Sequence, residues 1–212
     1  MVKQPISDPM KIICIGRNYL AHIAELDRDL PTEPLFFMKP DTALLPDGRA
    51  FPYPVFSEKV HYETELVLRI CKRGSSISLD SAHEYYDAVT VGIDFTARDV
   101  QQRCIEKGHP WEKAKAFDYS APVGEFKKIS DLKNAQKISF GMKRNDQWAQ
   151  QGNSADMIFG FDTIVSYVSR FVTLKEGDYI FTGTPQGVGE VHQGDLLELY
   201  LEDEKILKFE VK

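Results

Sequence analysis

Apolar positions along this chain come in short runs, four to eight residues long, broken by Gly, Pro, Asn and Asp. Lys11 to Ile15 is one such run, ended by Gly16-Arg17-Asn18, and Leu35-Phe36-Phe37-Met38 is another, stopped by Lys39-Pro40. Residues 40 to 60 are rich in Pro, Asp and Gly and predict loop with brief extended pieces. His61 to Ile70 reads as one β-strand, with Tyr62, Thr64, Leu66, Leu68 and Ile70 on the core face and His61, Glu63 and Glu65 on the other. Ala88–Asp94, Lys137–Met142, Asp178–Thr182 and a closing hairpin, Leu196–Leu201 with Lys205–Val211, complete the strands. Helices are fewer. Tyr19–Leu26 predicts a short one, and Ser81-Ala82-His83-Glu84 has the capping-box pattern that opens another through Tyr86. Thr96–Lys107 predicts a third helix, stopped at Gly108. In the fourth, capped by Asp162, Ile164, Val165, Tyr167, Val168, Phe171 and Val172 recur at helical spacing. Strand-rich order without a βαβ rhythm predicts an α+β fold with a mainly antiparallel sheet folded on itself. We see no repeat or linker, so residues 1–212 read as a single domain.

Composition narrows the function. At 212 residues with 42% hydrophobic and 27% charged positions, the chain can bury a substantial core. A net charge of −6 with no basic stripe excludes a nucleic-acid partner. Cys14, Cys71 and Cys104 are far apart and form no disulfide framework or thiolate zinc site, which fits a reducing compartment. No apolar run approaches the ~20 residues that cross a bilayer. Met1 to Pro9 is polar with two prolines and carries no signal or transit pattern, so the expected location is cytoplasmic.

The acidic residues carry the chemistry. Two carboxylates on one strand face repel unless a cation sits between them. A divalent metal answers that need, with Asp94 at the end of a neighbouring strand as third ligand. Solvation, or a pair with Arg69, is the plainer alternative. Three carboxylates without Cys or His suit a hard cation: magnesium, with manganese as a substitute. His61 lies on the same face, but hard cations prefer oxygen, so it is read as a supporting group.

Other candidates surround this trio. His22 and Glu25 are three apart and share a helix face. They read either as the polar side of a surface helix or as an acid–base dyad. Lys115, amid small and aromatic residues, is either buried beside an anion or snorkelling, while Lys113 is solvent-facing. Arg98 and Gln101 share a face just after Asp94, and Arg98 suits a carboxylate. Arg17, after a glycine at a strand end, is a second anion contact. The Thr182–Gly189 loop lacks the Lys-Ser/Thr of a phosphate loop. Its amides and the Thr184 hydroxyl can instead approach a carboxylate.

In this order the motifs resemble the fumarylacetoacetate hydrolase family, in particular its short acylpyruvate-hydrolase members. They run from Gly16-Arg17-Asn18-Tyr19, with His22 and Glu25, through Met38-Lys39-Pro40 and His61-x-Glu63-x-Glu65. Asp94-x-Thr96-x-Arg98-Asp99-x-Gln101, Pro110-Trp111-x-x-Ala114-Lys115 and Thr182-Gly183-Thr184-Pro185 follow. The resemblance implies a mixed β-roll or sandwich-like barrel that dimerises. It implies Glu63, Glu65 and Asp94 as magnesium ligands and Lys115 as the active-site lysine. It also implies a mobile lid on which His22 and Glu25 activate water, the polar stretch Asp27–Pro31 following it. The expected substrate is a small 2-oxo acid. The expected reaction is C–C hydrolysis of an acylpyruvate, of the fumarylpyruvate or acetylpyruvate class, to pyruvate and a carboxylate. A hydroxymuconate-type isomerase and an oxaloacetate decarboxylase are alternatives on the same site. A non-catalytic domain held by a structural ion is the alternative of another class, but three ligands are too few to close such an ion.

Overall fold

A computed structural model describes residues 11–25, 30–46 and 48–212, with backbone only for residues 23–25. Three sheets build the fold. The largest orders its strands β2 (Leu35–Lys39), β1 (Ile12–Gly16), β10 (Tyr179–Phe181), β4 (Thr64–Ile70), β5 (Tyr86–Ile93) and β7 (Lys127–Lys128). All its pairings are antiparallel except β1 with β10. A small sheet holds β11 (Gly189–Glu190), β3 (Val60–Tyr62) and β6 (Thr96–Ala97). A third holds β13 (Glu204–Glu210), β12 (Leu196–Leu201), β8 (Ser139–Arg144) and β9 (Gln147–Asn153). Among the described residues no sheet closes into a barrel. The α-helices are short: α1 (Leu20–Glu25), α2 (Arg98–Glu106), α3 (Glu112–Lys115) and α4 (Phe161–Ser169). None is long and apolar enough to cross a membrane.

The expected strand His61–Ile70 is two strands. It breaks at Glu63, with β3 in the small sheet and β4 in the large one. Nor does β4 have a single core face. Leu66 and Leu68 join the main apolar cluster on one side, and Val67 packs with Ile12, Cys14, Tyr179 and Phe181 on the other. A strand buried on both faces can carry Glu65 only if its charge is matched, because an unmatched buried carboxylate is costly.

Two helix expectations change. The 81–86 segment is a 3-10 turn, Leu79–Tyr85, beginning after Ser78, and Ser81 bonds back to Ser78 instead of capping. Glu84 reaches out to Lys72 at 2.9 Å, so the capping-box exchange is not made. In α4 the N-cap is Gly160, not Asp162. Asp162 stands in the first turn, favourable for the helix dipole, and accepts from the Tyr86 hydroxyl at 2.8 Å. The predicted apolar face does pack, with Ile164, Val165 and Val168 fully buried, although Phe171 lies beyond the helix and is exposed. The predicted third helix starts two residues late, because Thr96 and Ala97 pair with β3.

Candidate active site

The break at Glu63 places the site where the large and small sheets meet. The backbone N–H of Asp94 donates to the Glu63 carbonyl at 2.8 Å, tying the end of β5 to the break. Ligand oxygens of Glu63, Glu65 and Asp94 then lie within 4.8 Å of one another, and all three residues are buried.

Cations fill the spaces between them. Lys115, at the end of α3 and buried, donates to Glu63 at 2.8 Å, Asp94 at 2.7 Å and the Thr96 hydroxyl at 2.5 Å. Arg98 opens α2 with one nitrogen 2.5 Å from Glu63 and another 2.6 Å from the Gln101 side-chain oxygen. The predicted sharing of a helix face by Arg98 and Gln101 thus serves to aim the guanidinium. Arg69 pairs with Asp87 instead of with the trio. Lys113 is exposed.

Lys39 has no role assigned from the sequence, where it stands only as the stop of an apolar strand and within the Met38-Lys39-Pro40 motif. It is part of β2 and 2% exposed. Its ammonium lies 2.8 Å from Asp94, 2.9 Å from the Ser120 hydroxyl and against the Lys115 carbonyl. A lysine directly followed by proline at the end of an apolar run was the available signal.

The electrostatics follow from this packing. Burial alone would raise the Glu63 carboxyl, but Lys115, Arg98 and His22 outweigh it and hold Glu63 well below the usual carboxylate range. Glu65 goes the other way. Burial, then the Asp94 and Glu63 charges, push it far above that range, against the Gly183 N–H at 2.7 Å and the Lys115 charge. Burial opposes the charge on Lys115, yet Asp94 and Glu63 raise its pKa. His61 is pushed down to about 4 by burial and by Arg98, so it is neutral near pH 7, and among the described residues neither ring nitrogen has a hydrogen-bond partner. Among the described residues Glu65 makes no ion pair. A carboxylate left short of positive charge beside two others, all with oxygen donors, fits a divalent cation.

The remaining candidates divide. His22 is 5% exposed and near enough to Glu63 to influence its ionisation. The Glu25 side chain and most of the 27–31 stretch lie outside the described residues, so the dyad is seen from one side only. Arg17 has a left-handed backbone (φ 57°) and is half-buried. Among the described residues the hydrogen bonds and ion pairs of the trio's carboxylates go to Lys39, Arg98, Lys115 and Gly183, not to Arg17. Thr184 is 3% exposed, but its hydroxyl donates to the Thr64 carbonyl at 3.0 Å and accepts from Gln150 at 2.9 Å. With its only proton committed, that hydroxyl is not a donor to a substrate carboxylate in this arrangement. Asn18, fully buried, donates to the Thr182 and Phe159 carbonyls and accepts from the Phe159 N–H, which anchors the foot of α1.

A family model for the fumarylacetoacetate hydrolase C-terminal region matches residues 11–212. The chain belongs to the fumarylacetoacetate hydrolase family. Among curated relatives, the mouse mitochondrial oxaloacetate tautomerase FAHD1 is 38% identical over 201 residues, 95% of this chain and 91% of its own. A Pseudomonas aeruginosa fumarylpyruvate hydrolase, solved with Mn2+ and pyruvate, superposes with a TM-score of 0.89 at 37% identity. That match covers 95% of this chain and 88% of the other. The 5-carboxymethyl-2-hydroxymuconate delta-isomerase of Mycobacterium smegmatis superposes at 0.83 with 30% identity, covering 96% and 79%. The α+β architecture is that of these family members. Family membership makes enzymatic activity the coarse conclusion, and the Mn2+ in one relative agrees with the acidic cluster here.

Proposed function

We propose that this protein is a divalent-metal-dependent hydrolase of a small acylpyruvate, yielding pyruvate and a carboxylate. The observation that carries this reading is the convergence of three buried carboxylates with buried Lys115, which donates to two of them, with buried His22 near enough to act on the Glu63 charge. Glu63, Glu65 and Asp94 would hold the cation, magnesium or manganese, which supplies polarisation of a 2-oxo group and stabilisation of enolate charge. The chain's own residues account for the rest.

Lys115 and Arg98 stand beside the trio as fixed positive groups, and their task is to stabilise negative charge on substrate oxygens. His22 takes a proton from water, with Glu25 orienting the ring. The hydroxide adds to the distal carbonyl of the acylpyruvate. The bond between that carbon and C3 then breaks, its electron pair passes to C3 as pyruvate enolate, and a proton returns to C3. Charge balance supports an anionic substrate. Lys39, Lys115 and Arg98 pair with Glu63 and Asp94, so with Glu65 ionised on a bound divalent cation the cluster would stand at a formal +2.

Oxaloacetate tautomerisation is a second reading, favoured by the 38% identity to relatives of that name. It needs a proton moved between C3 and the 2-oxo oxygen, and no attacking water. Acetylpyruvate, fumarylpyruvate, enol-oxaloacetate and a hydroxymuconate substrate, each assayed with magnesium and with chelator, separate the readings. Metal-dependent release of pyruvate from an acylpyruvate supports the hydrolase. Turnover of oxaloacetate alone would replace it with the tautomerase.

A further inference from the structure

The sheet that ends in β9 shares no strand with the sheets bearing the carboxylates, yet one of its side chains reaches the backbone between them. Gln150, on β9, is 2% exposed. Its side-chain oxygen accepts from the Thr64 N–H at 2.9 Å, and its nitrogen donates to the Thr184 hydroxyl at 2.9 Å and the Pro185 carbonyl at 3.1 Å. The Thr184 hydroxyl completes the loop by donating to the Thr64 carbonyl at 3.0 Å.

Thr64 is the residue between Glu63 and Glu65. Along this side of β4 the Leu66 carbonyl accepts from the Thr182 N–H, just past the end of β10. At Thr64 the neighbouring strand has ended, so both backbone groups would be orphaned in a buried place. Gln150 and Thr184 occupy the position of the absent strand. Two glycines allow the approach. A Cβ on Gly152 would sit 2.8 Å from the Pro185 ring, and one on Gly187 would sit 3.0 Å from the Ala149 carbonyl.

We infer that Gln150 is a positioning residue of the metal site: by clasping Thr64 it sets the separation of the Glu63 and Glu65 carboxylates. This rests on the reading of those carboxylates as metal ligands. Substituting Gln150 strands a buried donor and lets the ligand-bearing turn relax, so the effect falls on metal affinity and not only on stability.

The test titrates Mn2+ alone into the wild type, Gln150→Leu, Gln150→Glu and Val168→Ala by calorimetry and electron paramagnetic resonance. Val168 is buried in α4 and serves as a purely structural comparison. Groups that orient metal ligands typically contribute 10–100-fold to affinity. Gln150→Leu is therefore expected to bind Mn2+ about tenfold or more weakly, with an altered spectrum. Gln150→Glu keeps the acceptor for Thr64 but not the donors and falls between, which decides the matter if the leucine variant does not fold. Val168→Ala is expected to melt earlier while binding normally. A folded Gln150 variant with wild-type affinity and spectrum overturns the inference, as does an equal loss in Val168→Ala. No Mn2+ binding by the wild type would instead remove the metal reading on which it rests.

Discussion

At the scale of single residues, the site works through opposed environments for similar groups. Glu63 and Glu65 are two apart, yet one is held ionised by Lys115 and Arg98 while the other is driven toward protonation by burial and its acidic neighbours. Glu63→Gln, Glu65→Gln and Asp94→Asn are each expected to abolish metal-dependent turnover while the circular dichroism spectrum stays native. Full activity after exhaustive chelation would contradict the assignment. His22→Ala is expected to lower kcat for acylpyruvate cleavage by about 10²–10⁴, the usual contribution of a positioned base. Oxaloacetate decarboxylation needs no attacking water and should survive the change better. Equal losses in both reactions would mean that His22 binds substrate or closes the site. Lys115→Met leaves Glu63 and Asp94 short of a partner in a dry place, so the metal-free protein should lose about 3–5 kcal/mol in urea unfolding. Added magnesium should restore much of that loss.

At the scale of elements, the loop after β10 matters more than its lack of regular structure suggests. Gly183 donates its N–H to Glu65 with φ at +102°, and a Cβ there would lie 2.6 Å from that of Asn18. Only glycine meets both conditions. Gly183→Ala is expected to destabilise by about 1–3 kcal/mol from backbone strain, and to weaken Mn2+ binding as the Glu65 contact is lost. Unchanged metal affinity would mean that the N–H contact is incidental. The sequence read this as a glycine-rich loop whose amides can approach a carboxylate, and the structure shows which carboxylate one of them meets, that of Glu65. A phosphate loop offers amides to a ligand, whereas here one amide serves a carboxylate of the protein itself.

At the scale of the whole molecule, the large and small sheets meet at one charged centre and the third sheet reaches its backbone through Gln150, so ligand binding and global stability are linked. A cation at about 100 times its dissociation constant should add about 2.7 kcal/mol if it binds only the folded state. For a chain of this size that is roughly a 5–10 °C rise in Tm, measurable by calorimetry with and without chelator. The chain is also expected to form a two-fold dimer. Light scattering at micromolar concentration should report about twice 24.2 kDa, and a clean monomer would contradict it.

The sequence by itself determined most of the longer strands and which residue types meet, but not β9, which carries Gln150 and was not read as a strand. Short β-branched runs, the helical spacing in α4 and the three-residue separation of Arg98 and Gln101 are local, and local periodicity survives folding. Only the tertiary structure decided what those residues do. The Glu63 break depends on two sheets competing for one segment, which alternation cannot register, so a continuous strand was the natural reading. Burial of Lys39, the commitment of the Thr184 hydroxyl and the clasp on Thr64 all depend on partners remote in sequence. Gln150 lies 86 residues from Thr64, and Gly183 lies 118 from Glu65. Such pairs leave no mark in any short window. Their geometry exists only once the sheets have packed, because packing is what removes water and makes each buried charge and each backbone N–H find a partner.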